Sequence, residues 1–255
     1  MDCKFLPYFL ILFFIISQSF HISLKKIRHL FFDLDRTLWD FETNSHSELI
    51  DLYHTHKLHQ LGISLSEEFV KVYKKINEKC WENYRLNKIS KENLRFERFN
   101  LTLAYFGIDN LDLSKKIGQD YVLNSPYRTV LIPHAIELLE YLKPNYILHI
   151  ITNGFQEVQH IKMNQSGLSK YFKTVVTSEM AGAKKPDSSI FNYALSISGG
   201  ELENSVMIGD DLNTDIKGAI NIGMKSIYFN PNKINNNSGA SKEVKSLLEI
   251  KKILH

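Results

Sequence analysis

The chain has 255 residues, of which 44% are hydrophobic and 23% are charged, a composition typical of a globular protein. Its formal net charge of +3 is small for this length, and no basic block with interleaved aromatic residues indicates binding to a nucleic acid polymer. The two cysteines, Cys3 and Cys80, form neither a disulfide framework nor a metal-ligand spacing, so we expect a reducing compartment.

Residues 1–26 form an N-terminal extension that contains an almost wholly apolar run at residues 5–16. The run is too short for a comfortable membrane span and is similar to the apolar region of a signal peptide. Three interpretations stay open: a signal or anchor, non-native residues from an upstream start codon, and a genuine extra element. We expect a cytoplasmic protein whose folded domain begins near Lys26. Export or membrane contact is expected only if the apolar run serves as a signal or anchor.

The first predicted strand, Ile27 to Phe32, leads directly into Asp33 and Asp35. Alternate residues of a strand share one face, so these two carboxylates point the same way if the chain is still extended there. Paired carboxylate oxygens suit a hard cation such as Mg²⁺. A turn with two solvated acids explains the same pattern, so this pair alone does not define a site.

Residues 41–125 carry helical patterns and no predicted strand. Apolar residues at helical spacing predict four helices, which run from Ser45 to Gln60, from Ser66, from Ser90 to Gly107 and from Leu113 to Val122. We interpret this stretch as a helical cap domain inserted into a core that consists of residues 27–40 and 126–255.

After Pro126 the pattern alternates between strands and helices. Strands are predicted at residues 146–151, 174–176, 206–208 and 226–229, the last of the chain, before a flexible loop at 230–241 and a short terminal helix. Helices are predicted from Pro133, from Phe155 with Val158 and Ile161 on the inward face, from Asp187, and around Ile216. This alternation predicts an α/β core with a doubly wound parallel sheet that is covered on both faces.

Polar residues follow three of these strands at the point where each strand ends: Asp33, Thr152 and Asp210. Open parallel sheets bind ligands at the carboxyl edge of their strands. Three separate strands that each deliver a polar group there are much less expected by chance than one pair of acids. The sequence therefore predicts a functional site at this edge.

The same residues belong to four ordered motifs that resemble those of the haloacid dehalogenase superfamily. The motifs are Asp33-Leu34-Asp35-Arg36-Thr37, Thr152-Asn153-Gly154, Lys185-Pro186, and Gly209-Asp210-Asp211 with Asp215. The resemblance spans Ile27 to Phe229 and implies a Rossmann-like core, with the helical insert as a C1-type cap. Local sequence at residues 39–42, 151–155 and 185–187 is similar to that of pyrimidine 5′-nucleotidases, which act on nucleoside monophosphates.

This resemblance implies a hydrolase of phosphate monoesters, with Asp33 as a nucleophile that forms an aspartyl-phosphate and Asp35 as the acid and base. It implies that Mg²⁺ is bound by Asp33, by the backbone carbonyl of Asp35 and by Asp210, with Asp211 and Asp215 as supporting groups or alternative ligands. The phosphate would be bound by Thr152, Asn153 and Lys185. Lys184 is expected to be a solvated side chain.

The cap must select the substrate, since the core contacts only the phosphate. Trp81 and Tyr84 are candidates for stacking on a base, and Trp39 for lining the pocket, although packing explains all three. The expected partner is a small phosphorylated metabolite, in the first place a pyrimidine nucleoside monophosphate. Alternatives are a phosphatase of a sugar phosphate or phosphoglycolate, a 2-haloacid dehalogenase, and a non-catalytic binding module.

Overall fold

A computed structural model of the protein describes residues 27–234 and 237–254. The interpretations of residues 1–26 therefore lie outside the described residues. A search of the described part of the chain finds no helix with the length and apolar character needed to cross a membrane.

Six parallel strands form a single sheet in the order β3–β2–β1–β4–β5–β6. The strands are β1 His29–Phe32, β2 Ile147–Thr152, β3 Phe172–Thr177, β4 Ser205–Gly209, β5 Lys225–Phe229 and β6 Lys242–Val244. The chain adds strands on one side of β1 and then returns to add β4 to β6 on the other. The order thus reverses at β1, the kind of position where open α/β sheets bind ligands. The predicted α/β fold class is confirmed.

The central strands β1 and β4 are buried along their whole length, so the middle of the sheet is covered on both faces. Alternate residues enter different clusters: Phe32 packs on one side of β1 and Phe31 on the other. Helices α5 Ala135–Leu142 and α10 Leu247–Ile253 cover the first side, and α8 Ser188–Ser198 covers the second. Of the other helices, α6 Gln156–Gln165 contributes Met163 to the first side, whereas α7 Ser178–Ala181 and α9 Lys217–Asn221 contribute to the second.

Residues 41–127, here called the helical segment, build a separate hydrophobic cluster. Its helices are α1 Phe41–Thr55, α2 Ser66–Arg85, α3 Lys91–Tyr105 and α4 Leu111–Asn124. The Asp40, Ser90 and Asn110 side chains accept hydrogen bonds from backbone N–H groups and so cap α1, α3 and α4. The four predicted helices are present, and their division from the core as a cap domain stays a prediction.

The stretch of chain that leaves the sheet for the helical segment lies beside the stretch that returns from it. Trp39 forms an antiparallel bridge with Leu131, and Ile132 donates a backbone hydrogen bond to Leu38. The indole nitrogen of Trp39 donates to the carbonyl of Arg128 at 3.0 Å. These contacts join the two connections into one short, hydrogen-bonded junction.

A second junction joins α2 and α3 to the loops at the carboxyl edge of the sheet. The Phe155 ring stacks on Trp81 and meets the edge of Tyr84, and Lys91 pairs with Glu157 and Glu179. Lys184 was expected to be solvated, but its ammonium lies 4.1 Å from the ring centre of Tyr84 and donates to Asn87. Lys184 is therefore half-buried against the helical segment rather than fully solvated.

Two further predictions of local structure are corrected. The strand β6 follows the loop after β5, so residues 226–229 are not the last strand. Its three residues, two of them charged and exposed at the sheet edge, give no strand pattern. Helix α5 begins at Ala135 rather than at Pro133, after His134 adopts a left-handed conformation with φ of 69°.

Candidate active site

The site lies where β2, β1 and β4 end side by side. Phe32 of β1 is level with Ile150 of β2 and Ile208 of β4, so the residues that follow these strands converge. Asp33 continues the ladder by donating its N–H to the carbonyl of Ile208 at 2.9 Å. The cleft above this edge has a volume of about 590 Å³, and its lining includes Asp33, Asp35, Thr152, Asn153, Lys185, Asp210, Asp211 and Asp215.

Lys185 is the cation at the centre of the cleft, and its side chain is only 2% exposed. Its ammonium donates to Asp33 Oδ1 at 2.5 Å, to Asp215 Oδ1 at 2.6 Å and to the carbonyl of Ile151 at 2.8 Å. Burial alone would lower the pKa of Lys185, but the attraction of Asp215 and Asp33 outweighs burial and raises it. Lys185 therefore stays protonated and holds two acids in fixed positions.

The side chain of Asn153 holds Lys185 in place through the backbone. Its Oδ1 accepts from the N–H of Lys185 at 2.8 Å, and its Nδ2 donates to the Lys185 carbonyl at 3.0 Å. Asn153 was predicted to bind phosphate, and its side chain thus has a second role that the sequence did not indicate. These two hydrogen bonds connect the third motif to the second.

Three carboxylates, those of Asp33, Asp210 and Asp215, each offer an oxygen within 4.8 Å of the other two. Burial, followed by repulsion from Asp215, raises the pKa of Asp210 to about 7. Burial likewise raises the pKa of Asp33 well above its ordinary value and raises that of Asp215, although Lys185 opposes both changes. When all three carboxyls are ionised, their negative charge exceeds the single positive charge of the Lys185 ammonium.

This arrangement fits a divalent cation. Mg²⁺ prefers carboxylate oxygens, and the ion is small enough for a site with Asp33 on one side and Asp210 on the other. A cation there would counteract both the burial and the mutual repulsion that raise the pKa values of Asp33 and Asp210. The residues predicted as metal ligands are thus compatible with the group that the resemblance implies.

The geometry separates the two acids that were left as alternatives. Asp211 accepts hydrogen bonds from the N–H groups of Asn213 and Thr214, so its carboxylate is used as a helix cap. Asp215 is 1% exposed and faces Lys185, while its Oδ2 accepts from the N–H of Asp211 at 3.1 Å. Asp215 therefore belongs to the charged cluster, and Asp211 shapes the loop beside it.

Thr37 connects the first motif to the fourth. Its hydroxyl donates to Asp210 Oδ1 at 2.9 Å. Two backbone hydrogen bonds, from Leu38 and Trp39 to the carbonyl of Leu34, close the tight turn that carries Thr37 across to β4. Through these contacts, Thr37 supports the geometry of the loop that follows β1.

Asp35 lies apart from the cluster and is held by helix α6. Lys162 donates to its Oδ1 at 2.5 Å, and Gln159 donates to its Oδ2 at 2.9 Å and to the hydroxyl of Thr152 at 2.8 Å. The ammonium of Lys162 also lies 4.2 Å from the ring centre of Trp39. One amide therefore ties Asp35 to Thr152.

Gln159 and Lys162 were missed by the sequence analysis. The prediction placed Val158 and Ile161 on the inward face of this helix, but both are half-buried, while Gln159, Lys162 and Met163 are buried. The inward face is polar because it meets the carboxylate of Asp35 rather than an apolar core. The available signal was the three-residue spacing of two polar side chains on a helix that starts just beyond Thr152.

The three aromatic candidates for substrate contact occupy different places. Trp39 is 1% exposed and packs at the junction with the helical segment, where it borders only a small side cavity. Tyr84 is 7% exposed, within the aromatic group around Phe155. Trp81 lines the main cleft, so of the three it alone faces the space above the acids.

The fold and these motifs define a family of hydrolases. The sequence of residues 27–223 matches the haloacid dehalogenase-like hydrolases, and the chain belongs to this family. Solved haloacid dehalogenases share the fold at 23% sequence identity or less, which informs only on the fold.

Particular members of the family are more similar. Pyrimidine 5′-nucleotidase PynA of Streptococcus pneumoniae is 32% identical, over 84% of this chain and 88% of the relative. Pyrimidine 5′-nucleotidase YjjG of Escherichia coli is 28% identical, over 79% and 85% respectively. The crystal structure of the HAD-hydrolase YfnB of Bacillus subtilis, bound to magnesium, superposes with a TM-score of 0.81 at 29% identity, covering 90% of this chain and 99% of YfnB.

The charge excess in the cluster generates a prediction about stability. A carboxyl whose pKa is raised to about 7 in the folded protein, above its usual value, destabilises the fold increasingly from about pH 4 to pH 7. Asp210→Asn removes this penalty, so in EDTA at pH 8 we expect the free energy of unfolding to rise by on the order of 2 kcal/mol.

Chemical denaturation of wild type and Asp210→Asn at pH 8 and pH 5 measures this effect. The gain should be smaller at pH 5, where the Asp210 carboxyl is already protonated. Asp109→Asn, which changes an exposed acid, should stay within about 0.5 kcal/mol. A variant less stable than wild type at pH 8 would contradict the charge argument.

Proposed function

We propose that the protein is a Mg²⁺-dependent phosphomonoesterase that works through an aspartyl-phosphate on Asp33. The observation that carries this proposal is that two acids, Asp33 and Asp35, are held in separate environments. Asp33 lies in the charged cluster with Lys185, whereas Asp35 is held separately by Lys162 and Gln159. A nucleophile beside positive charge and a separate acid and base are what hydrolysis in two steps requires.

In the first step, Asp33 attacks the phosphorus and the bond from phosphorus to the ester oxygen breaks. Lys185 occupies Oδ1 of Asp33, and Oδ2 accepts no hydrogen bond within the described residues, so Oδ2 is the oxygen that attacks. Asp35, after it has taken up a proton, delivers it to the departing alcohol oxygen. The hydroxyl of Thr152 and the ammonium of Lys185 stabilise the negative charge on the phosphoryl oxygens.

In the second step, water attacks the phosphorus and the bond between phosphorus and Asp33 breaks, which releases inorganic phosphate. Asp35 takes a proton from this water, so its carboxyl acts first as an acid and then as a base. Gln159 and Lys162 keep the Asp35 carboxylate in one orientation through both steps. The rigid placement supplies part of the rate enhancement, because the proton donor does not need to be ordered in each cycle.

Asp33, Asp210 and the backbone carbonyl of Asp35 would hold the cation, with Asp215 placed to support it. When bound, Mg²⁺ supplies positive charge that lets an anionic nucleophile approach an anionic phosphate. The fit rests on the three convergent carboxylates and on their raised pKa values.

For the substrate, we propose pyrimidine nucleoside monophosphates. Two relatives of similar length are named pyrimidine 5′-nucleotidases, and Trp81 offers a ring to a base inside the cleft. The cleft of about 590 Å³ is in the range of small-molecule sites. A sugar phosphate or phosphoglycolate is the second candidate, since further relatives are named as phosphatases of other small metabolites.

A 2-haloacid dehalogenase and a non-catalytic module are less well supported. Dehalogenation needs neither a metal nor the second acid of the first motif, yet Asp35 has two dedicated donors and three acids converge beside Asp33. A binding module has no need for two donors that fix the Asp35 carboxylate in this way. Both alternatives predict no hydrolysis of phosphate esters.

Asp33→Asn tests the nucleophile. The amide keeps the size of the side chain but cannot attack phosphorus, so we expect turnover of p-nitrophenyl phosphate in Mg²⁺ to fall by at least about a thousandfold, or roughly 4 kcal/mol. Wild type in EDTA should be inactive and should recover when Mg²⁺ is added. Activity of Asp33→Asn near the wild-type level would remove Asp33 from the mechanism.

Lys162→Met tests the support of Asp35. Methionine preserves most of the packing against Trp39 but removes the donor to Asp35 Oδ1. We expect kcat/KM to fall at least tenfold, about 1.4 kcal/mol of transition-state stabilisation. Lys170→Met is the matched control, since the side chain of Lys170 is 62% exposed. A folded Lys162→Met enzyme with unchanged kcat/KM would refute this role.

A substrate panel tests the choice of nucleotides. Purified protein with Mg²⁺ is assayed on UMP, dUMP and dTMP and, in parallel, on glucose 6-phosphate and phosphoglycolate. We expect the highest kcat/KM for a pyrimidine nucleotide. A sugar phosphate that exceeds every nucleotide by more than about tenfold, or 1.4 kcal/mol, would replace nucleotides as the proposed substrate.

A further inference from the structure

Arg98 is a buried cation without an anionic partner. Its side chain lies within the helical segment at 3% exposure, and no carboxylate in the described parts of the chain pairs with it. Nη1 donates to Asn77 Oδ1 at 3.0 Å, whereas Nε is buried and has no hydrogen-bond partner among residues 27–234 and 237–254. Burial of an uncompensated charge is costly, so a role in packing alone does not explain why an arginine occupies this position.

Aromatic rings compensate only part of this charge. The guanidinium carbon lies 4.8 Å from the ring centre of Tyr121, 5.5 Å from that of Phe99 and 5.9 Å from that of Tyr73. Burial raises the pKa of both tyrosines, so their phenols stay neutral and do not act as counter-ions. The rings pack around the guanidinium group, and its Nε–H remains available as a donor to another molecule.

Arg98 lines a side cavity of about 50 Å³ that adjoins the main cleft. The two spaces share four wall residues: Asp35, Phe41, Trp81 and Gly154. Gln159 also lines the side cavity, and its Oε1 is a second buried atom without a partner. The volume exceeds the roughly 10–15 Å³ that one water needs. The cavity can therefore hold a small polar group beside the predicted acid.

We propose that this cavity is a binding subsite for the leaving alcohol of the substrate, and that Arg98 binds an acceptor oxygen on it. The inference rests on the proposed function, which places the phosphorus at Asp33 and the departing oxygen at Asp35. The leaving alcohol then lies on the side of Asp35 that faces the helical segment. A guanidinium only donates hydrogen bonds, so the group it selects is an acceptor.

Asn77 is the positioning residue of this subsite. It is 4% exposed, accepts the hydrogen bond from Arg98 and also lines the main cleft. The acceptor oxygen has two chemical sources, a neutral ring carbonyl as in a pyrimidine base, or a carboxylate. An ester whose alcohol carries neither leaves the Arg98 donor unpaired, so the subsite selects against it.

The experiment compares kcat/KM for three esters in Mg²⁺: UMP, with ring carbonyls, phosphoglycolate, with a carboxylate, and phenyl phosphate, with no acceptor in its leaving group. Wild type, Arg98→Met and Arg95→Met are assayed, and their folding is checked by thermal unfolding. Arg95 lies on the same helix and its Nε is also unpartnered, but its guanidinium pairs with Glu157 and it does not line the cavity.

We expect wild type to prefer UMP or phosphoglycolate over phenyl phosphate at least tenfold, and Arg98→Met to lower that ratio at least tenfold. Arg95→Met should keep the wild-type ratio. A loss confined to UMP identifies a carbonyl as the partner, and a loss confined to phosphoglycolate identifies a carboxylate.

An unchanged ratio in folded Arg98→Met, or no wild-type preference for either acceptor-bearing ester, overturns the subsite. If Arg98→Met does not fold, Arg98→Lys, which keeps the charge and loses the planar donor fork, is judged by the same ratio. If the wild-type protein hydrolyses none of the three esters, the result contradicts the proposed function rather than the subsite. Failure of the subsite and failure of the activity are therefore distinct results.

Discussion

The contact on which the site depends is the burial of one ammonium between two carboxylates. Lys185 reaches Asp33 and Asp215 from below the sheet edge, and the Asn153 side chain fixes its backbone. Without Lys185, the carboxylates of Asp33, Asp210 and Asp215 would face one another without the ammonium that offsets part of their charge. With it, the cluster still carries an excess of negative charge, which is the electrostatic reason for expecting a bound cation.

The helical segment contributes a different kind of chemistry. The core supplies charged groups that any phosphate ester would meet, whereas the segment supplies Trp81 to the main cleft and Arg98 to its side cavity. Helix α6 lies between the two, with Lys162 and Gln159 directed at Asp35. Under the proposed function, the phosphate and the alcohol would therefore be recognised by separate parts of the fold that meet at Asp35.

Much of the core could be predicted from the sequence because β1, β2 and β4 are largely apolar and each ends in, or is followed by, a polar residue. That pattern located Asp33, Thr152 and Asp210 at one edge, and the motif resemblance added Lys185. The residues that were missed, Gln159, Lys162 and Arg98, are polar side chains on inward helix faces. Apolar periodicity assigns such positions to solvent, and only the tertiary structure brings them to Asp35 and to the side cavity.

The paired connections at Trp39 and Leu131 have a consequence for how such enzymes diversify. Because the chain leaves and re-enters the core at hydrogen-bonded neighbours, the helical segment closes as a loop whose ends are already together. Its length and composition can change in evolution without shifting the register of β1 against β2 and β4. Under the proposed function, new specificities for the alcohol would arise by replacing this one segment, while the phosphate chemistry of the core would be retained.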